Sequence, residues 1–111
     1  MRRIAPFYPW LERQLPKLKA DHLDLILKDF EKIEEQGKNA LKILHVFGKY
    51  ILAEVKHHRP PYRLYVVVDQ DQEIYMLVDW SHKKEQQRKI QMLSTSIEAI
   101  VEEFMRAFSQ Q

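Results

Sequence analysis

Residues 62–80 decide the fold: Tyr62-Arg63-Leu64-Tyr65-Val66-Val67-Val68, then Asp69-Gln70-Asp71-Gln72, then Glu73-Ile74-Tyr75-Met76-Leu77-Val78-Asp79-Trp80. Two runs rich in β-branched and aromatic side chains flank four polar residues, which predicts two strands and a turn. A connection this short joins antiparallel strands, because a parallel pair needs a crossover of about a dozen residues or more. Strands are therefore expected over 62–68 and 73–80, paired as a hairpin. Upstream, 41–47 and 49–58 have the same composition, with Gly48 as a bulge or turn between them. Arg59-Pro60-Pro61 ends that pair, since proline has no N–H to give to a central ladder.

Outside the strands the period changes to that of a helix. In 22–36, Leu23, Ile26, Leu27, Phe30 and Ile33 recur at helical spacing. Asp21 is a candidate cap, Asp24 suits the positive end of the helix dipole, and Gly37 is the expected stop. Residues 9–19 predict a shorter helix through Trp10, Leu11, Leu15 and Leu18, opened by Pro9 and kinked by Pro16. The two would form a helical hairpin joined near residues 19–21. A C-terminal helix carries Ile97, Ile100, Val101, Phe104 and Phe108, with Ser94 or Ser96 as its cap and Glu98, Glu102 and Arg106 on its wet face. The expected class is α+β: two N-terminal helices packed on a three- to four-stranded antiparallel sheet with a C-terminal helix, the helices on one sheet face.

The chain has 111 residues, which fits one domain over 1–111. With 45% apolar and 31% charged residues it has the makings of a folded core, not of a disordered chain. It contains no cysteine, so disulfides, thiol nucleophiles and cysteine metal sites are excluded. The longest apolar runs, 64–68 and 74–78, are far short of a membrane span, and Met1-Arg2-Arg3 is not followed by an apolar leader. The expectation is a soluble cytoplasmic protein.

The net charge of +2 is unevenly spread. Residues 41–68 hold Lys42, Lys49, Lys56, Arg59 and Arg63 against Glu54, and residues 82–90 hold Lys83, Lys84, Arg88 and Lys89 against Glu85. Such a concentration suits a polyanion or an acidic protein partner, although scattered solvated lysines have the same composition.

Several chemistries fail on residue type. His57 and His58 are adjacent, so on a strand they point to opposite faces and cannot chelate one metal, while His22 and His45 are isolated. No His-Glu-x-x-His motif exists, and no metal or cofactor site is expected. Two glycines do not make a phosphate loop, and no nucleophile elbow occurs.

What remains is a rim where strand ends converge. The end of 49–58 supplies Lys56, His57 and His58. Arg59, Tyr62 and Arg63 follow across the turn, and strand 73–80 returns Trp80, His82, Lys83 and Lys84 to the same edge. Lysine and arginine neutralise phosphates, and rings stack on bases, so the rim suits single-stranded RNA. Histidine moves protons near neutral pH. Each residue also has a plainer role: Arg63 as an ion-pair partner of Glu54 or Asp79, Trp80 as core, Lys83-Lys84 as a solvated turn.

Tyr62-Arg63-Leu64-Tyr65, the apolar strand, the polar turn and then Trp80-Ser81-His82-Lys83-Lys84-Glu85-Gln86 resemble the RelE/ParE superfamily of bacterial type II toxins. The Lys-Lys-x-Gln run is similar to the HigB-like branch and its phage counterparts, and the Arg63-to-His82 interval to the YoeB-like pattern. The similarity spans about residues 20–108 in element order. It implies a toxin held inactive by a cognate antitoxin and cleaving mRNA on the ribosome without a cofactor. It assigns Arg63 to phosphate, His82 to general acid catalysis, and Lys56 or His57 to a basic catalytic position. His58, Arg59, Tyr62, Trp80, Lys83 and Lys84 would bind RNA. The tyrosine often beside the late histidine is replaced by Lys83, and 38–48 is longer than the pattern. The same resemblance admits a ParE-like toxin that binds a protein such as DNA gyrase, or a degenerate protein-binding module. An unrelated adaptor for an acidic peptide is a further alternative, and a homodimer is compatible with any of these.

Overall fold

A computed structural model describes residues 3–5, 15–17, 19–56 and 61–109. Strands β2 (Lys42–Phe47), β3 (Tyr50–Lys56), β4 (Tyr62–Asp69) and β5 (Ile74–His82) form an antiparallel meander, as their short connections require. A short strand β1 (Arg3–Ala5), unforeseen in the sequence, adds in parallel to β5 and completes the order β1-β5-β4-β3-β2. Three residues carry too little pattern to announce a strand. The class is α+β, with helix α1 (Ala20–Gln36) before the meander and helices α2 (Gln86–Thr95) and α3 (Ile97–Ser109) after it. The expected helix over 9–19 falls largely outside the described residues, of which 15–17 form a 3-10 turn.

The helices lie on both faces of the sheet, not on one. Ile51, Ala53, Val55, Leu64, Val66, Val68, Tyr75 and Leu77 pack with Ile26, Ile33 and Ala40 on the α1 side. Leu52, Tyr65, Val67, Ile74, Met76 and Val78 pack with Leu93, Ile97, Ile100, Val101 and Phe104 on the other. Alternation along each strand sends successive side chains to opposite layers. A strand that is apolar at every position, as β4 is from 64 to 68, is therefore a strand covered twice.

Local details follow from residue type. The β2–β3 hairpin closes through Gly48-Lys49, with Phe47 paired to Tyr50 and Gly48 at φ 57°, a conformation that costs glycine little. Helix α1 starts at Ala20 behind Lys19 with no side-chain cap, so Asp21 sits inside the first turn and favours the dipole instead of capping. Gly37, at φ 59°, ends it and donates its N–H to Ile33 O. The buried stripe of α1 is Ile26, Asp29 and Ile33, while Leu23 and Leu27 are 36% and 57% exposed. The inward face is thus turned by about one position from the Leu23–Leu27 stripe. At the C-terminus, Ser96 separates two helices: its N–H goes to Met92 O and Leu93 O, and its carbonyl accepts from Ile100 N.

Candidate functional site

The register places the strand ends as the hairpin reading requires. Lys56 pairs with Arg63, Arg63 with Ser81, and Tyr62 with His82, while Lys83 N–H bonds Pro61 O at 2.9 Å. His82, Lys83 and Lys84 thereby stand beside the first residue of β4. All three are exposed, and with Pro61 and Glu85 they line an open groove. His57, His58 and Arg59 lie outside the described residues, and Lys56 is placed by its backbone in β3.

Adjacent positions on a strand face opposite ways, so Tyr62 and His82 share one sheet face, and Arg63 and Ser81 the other. That divides the expected site. Arg63 is 5% exposed. Its Nη1 donates to Tyr62 O at 2.9 Å, and its charge acts on the Tyr65 hydroxyl. Arg63 also lines the small cavity that holds His22, Tyr62 and Trp80, whereas His82 borders the open groove with Lys83 and Lys84.

The α1 face gathers rings. His22, in the first turn of α1, meets the Tyr62 ring edge-on at 4.3 Å between centroids, and Tyr62 meets His82 at 4.9 Å with planes tilted by 32°. Trp80 closes the group at 5.6 Å from Tyr62, 5.8 Å from His22 and 6.1 Å from His82. The Tyr62 hydroxyl and Nε2 of His22 are hydrogen-bonded. Burial lowers the His22 pKa, helped by the charges of His82 and Lys19 and opposed by Asp21. Burial, with Asp21 adding to it, raises that of Tyr62. Both groups are therefore neutral at pH 7. Tyr62 is buried under its neighbours, so its ring is no free platform for a base; half-buried Trp80 and exposed His82 are better placed for stacking.

The opposite face gathers charge. A register shift between Tyr65 and Val66 marks a bulge on β5, which puts both Val78 and Asp79 on the α2 side. Glu54, Tyr65 and Asp79 then form one row across three strands, all nearly inaccessible. Gln86 of α2 donates Nε2 to both Glu54 oxygens at 3.0 and 2.8 Å, Lys89 holds Asp79 at 2.9 Å, and the Tyr65 and Ser81 hydroxyls are 2.7 Å apart. Burial raises the Asp79 pKa, with the Lys89 bond and charge pulling it back.

The basic zone is accordingly thinner than its count. Lys49 lies near Asp69 (3.5 Å) at the far end of the sheet, Lys89 is taken by Asp79, and Arg88 bonds Glu85 at 2.6 Å. Lys83 and Lys84 carry no ion pair among the described residues. His22 reads as isolated in the sequence because it is far from the strands along the chain, yet it extends the buried stripe of α1 backward from Ile26 by one turn. Among the described residues no helix is long and apolar enough to cross a membrane. Comparison with protein-family models, curated proteins and solved structures finds no match.

Proposed function

We propose that the chain is the toxin component of a type II toxin–antitoxin system, a metal-free, ribosome-dependent mRNA endonuclease of RelE type that a cognate antitoxin neutralises. The observation that carries this reading is the exposed His82-Lys83-Lys84 run, set beside Tyr62 and Trp80 by the β4–β5 register. It gives RNA two cationic side chains for phosphate and an imidazole able to protonate a leaving oxygen. The resemblance of 62–65 and 80–86 to the RelE/ParE superfamily adds the substrate and the partner.

The second reading, a ParE-like toxin acting on a protein such as DNA gyrase, draws on Leu27, Ile43 and Val46, each more than half exposed. Inducible expression with and without the neighbouring reading frame, followed by primer extension on cellular mRNA, separates the two. Growth arrest with new mRNA ends, relieved by the neighbour's product, is the expected result. Arrest with intact mRNA and inhibited gyrase transfers the conclusion to the second reading, and harmless high-level expression removes both.

A further inference from the structure

The ribonuclease reading supplies an acid, His82, but leaves the base unassigned, and the geometry points to one. We propose that Tyr62 and His22 act as a unit as the base that activates an RNA 2′-hydroxyl, opposite His82 as the acid. The proposal rests on that reading and deepens it.

Three observations meet here. His22 comes from α1 and His82 from the end of β5, yet both lie against the same tyrosine ring, at 4.3 and 4.9 Å. The Tyr62 hydroxyl is already hydrogen-bonded to Nε2 of His22, so a proton path between them exists before RNA arrives, in the tautomer whose Nε2 accepts. His82 also borders the open groove with Lys83 and Lys84, where a phosphate finds cations. Two proton-transfer groups against one ring, next to the cations of the groove, are what cleavage through a 2′-hydroxyl requires.

The step balances without any further reactant. The 2′-hydroxyl gives its proton to Tyr62 Oη while the Tyr62 proton passes to Nε2 of His22. The 2′-oxygen bonds to phosphorus, the bond from phosphorus to the 5′-oxygen breaks, and His82 donates a proton to that oxygen. The products are a 2′,3′-cyclic phosphate and a 5′-hydroxyl. Exchange with water returns the proton from His22 and restores it to His82.

The groups facing His22 set its role. Lys19 just before α1 and Asp21 in its first turn flank it, Tyr62 and His82 face it from the sheet, and Asp29 and Arg63 share its small cavity with Leu25, Ile26, Leu64 and Trp80. A base works unprotonated, so the rate should rise with pH through the His22 titration, which lies below 6.5 because of burial and the neighbouring positive charges. An acid works protonated, so His82 acting as the acid makes the rate fall again at higher pH.

The test is cleavage of ribosome-bound mRNA by the full chain as a function of pH. Wild type should give a bell. His22→Gln should lose the limb at low pH and lower kcat by about 10²–10⁴ with KM within about twofold. Tyr62→Phe keeps the ring packing and removes only the hydroxyl, so it carries the test should His22→Gln not fold. The double variant should be no slower than the slower single one, because the two act as a unit. His82→Gln should lose the other limb, and imidazole resonances should show His22 titrating higher in it. If wild type cleaves but both variants retain the low-pH limb, the base assignment is overturned and the nuclease reading stands. If wild type cleaves no RNA, both fall.

Discussion

The two faces of the sheet at the β4–β5 end are built from neighbouring positions and do opposite things. On the α1 face, residues 62, 80 and 82 with His22 form a group of rings that ends in an exposed imidazole and two exposed lysines. On the α2 face, residues 63, 65, 79 and 81 with Glu54 form a polar group closed over by Gln86 and Lys89. A buried charge is costly unless held, and here each carboxylate has a partner from α2. The α2 face therefore fastens a helix to the sheet, whereas the α1 face keeps the His82 imidazole in solvent and His22 only partly covered. Substitutions one residue apart along β4 or β5 should accordingly separate stability from activity.

The largest effect expected is on the ring face and leaves the fold alone. His82→Gln should lower mRNA cleavage by about 10²–10⁴, while the urea midpoint moves by no more than about 0.5 kcal/mol in free-energy terms, since the residue is exposed. A large loss of stability in this variant would erase the contrast between the faces.

On the charge face the order reverses. Lys89→Met leaves the Asp79 carboxylate buried without its cation and should cost about 3–5 kcal/mol of stability at pH 7, measured by urea unfolding. The pH dependence has a definite sign. Burial already raises Asp79 above its ordinary 3.8, so its contribution to stability is greatest below that value and falls as pH rises through the folded-state pKa. Removing Lys89 raises that pKa further. The penalty should therefore be largest at neutral pH and shrink on acidification. A penalty that stays constant from pH 7 down to pH 4 would mean that Asp79 is not its source.

Gln86→Leu tests the same fastening at smaller cost. It removes the amide that serves both Glu54 oxygens, for about 1–3 kcal/mol. Adding Glu54→Leu should recover much of this, because two apolar groups need no partner. If the double variant is less stable than Gln86→Leu alone, Glu54 has a second role in the row.

The contrast between faces explains what the sequence discloses. The meander was legible because β-branched and aromatic runs broken by Gly48-Lys49 and by 69–72 leave little choice of pairing. The convergence of strand ends followed from it. The face of each rim residue did not, because the bulge that turns Asp79 towards α2 has no composition of its own. Helix α2 was missed because its apolar side is thin: Leu93 is buried, Ile90 only partly, and Met92 faces solvent. Its polar residues, Gln86 and Lys89, are the ones that point inward, which inverts the pattern on which helix reading depends. His22 was passed over for a similar reason, since a polar residue on the buried stripe of α1 counts against the stripe unless Tyr62 is known to wait for it.

The smallest change in stability, and a sharp test of what the ring face is for, comes from the double variant Lys83→Ala, Lys84→Ala. Both side chains are exposed and unpaired among the described residues, so folding should shift by less than about 0.5 kcal/mol. Binding should respond differently. Each lysine that neutralises a phosphate releases counterions, and for single strands the slope of log affinity against log salt changes by about 0.7 per contact. Losing both should make the slope shallower by about 1.4, with affinity lowered alike on every RNA sequence tested, because a lysine on phosphate reads charge and not bases. Fluorescence anisotropy of a labelled single-stranded RNA between low and moderate salt measures both quantities. An unchanged slope would take the two lysines off the phosphate path. The groove beside His82 would then be only a solvated turn, and the ring face would keep its imidazoles without the field that brings RNA to them.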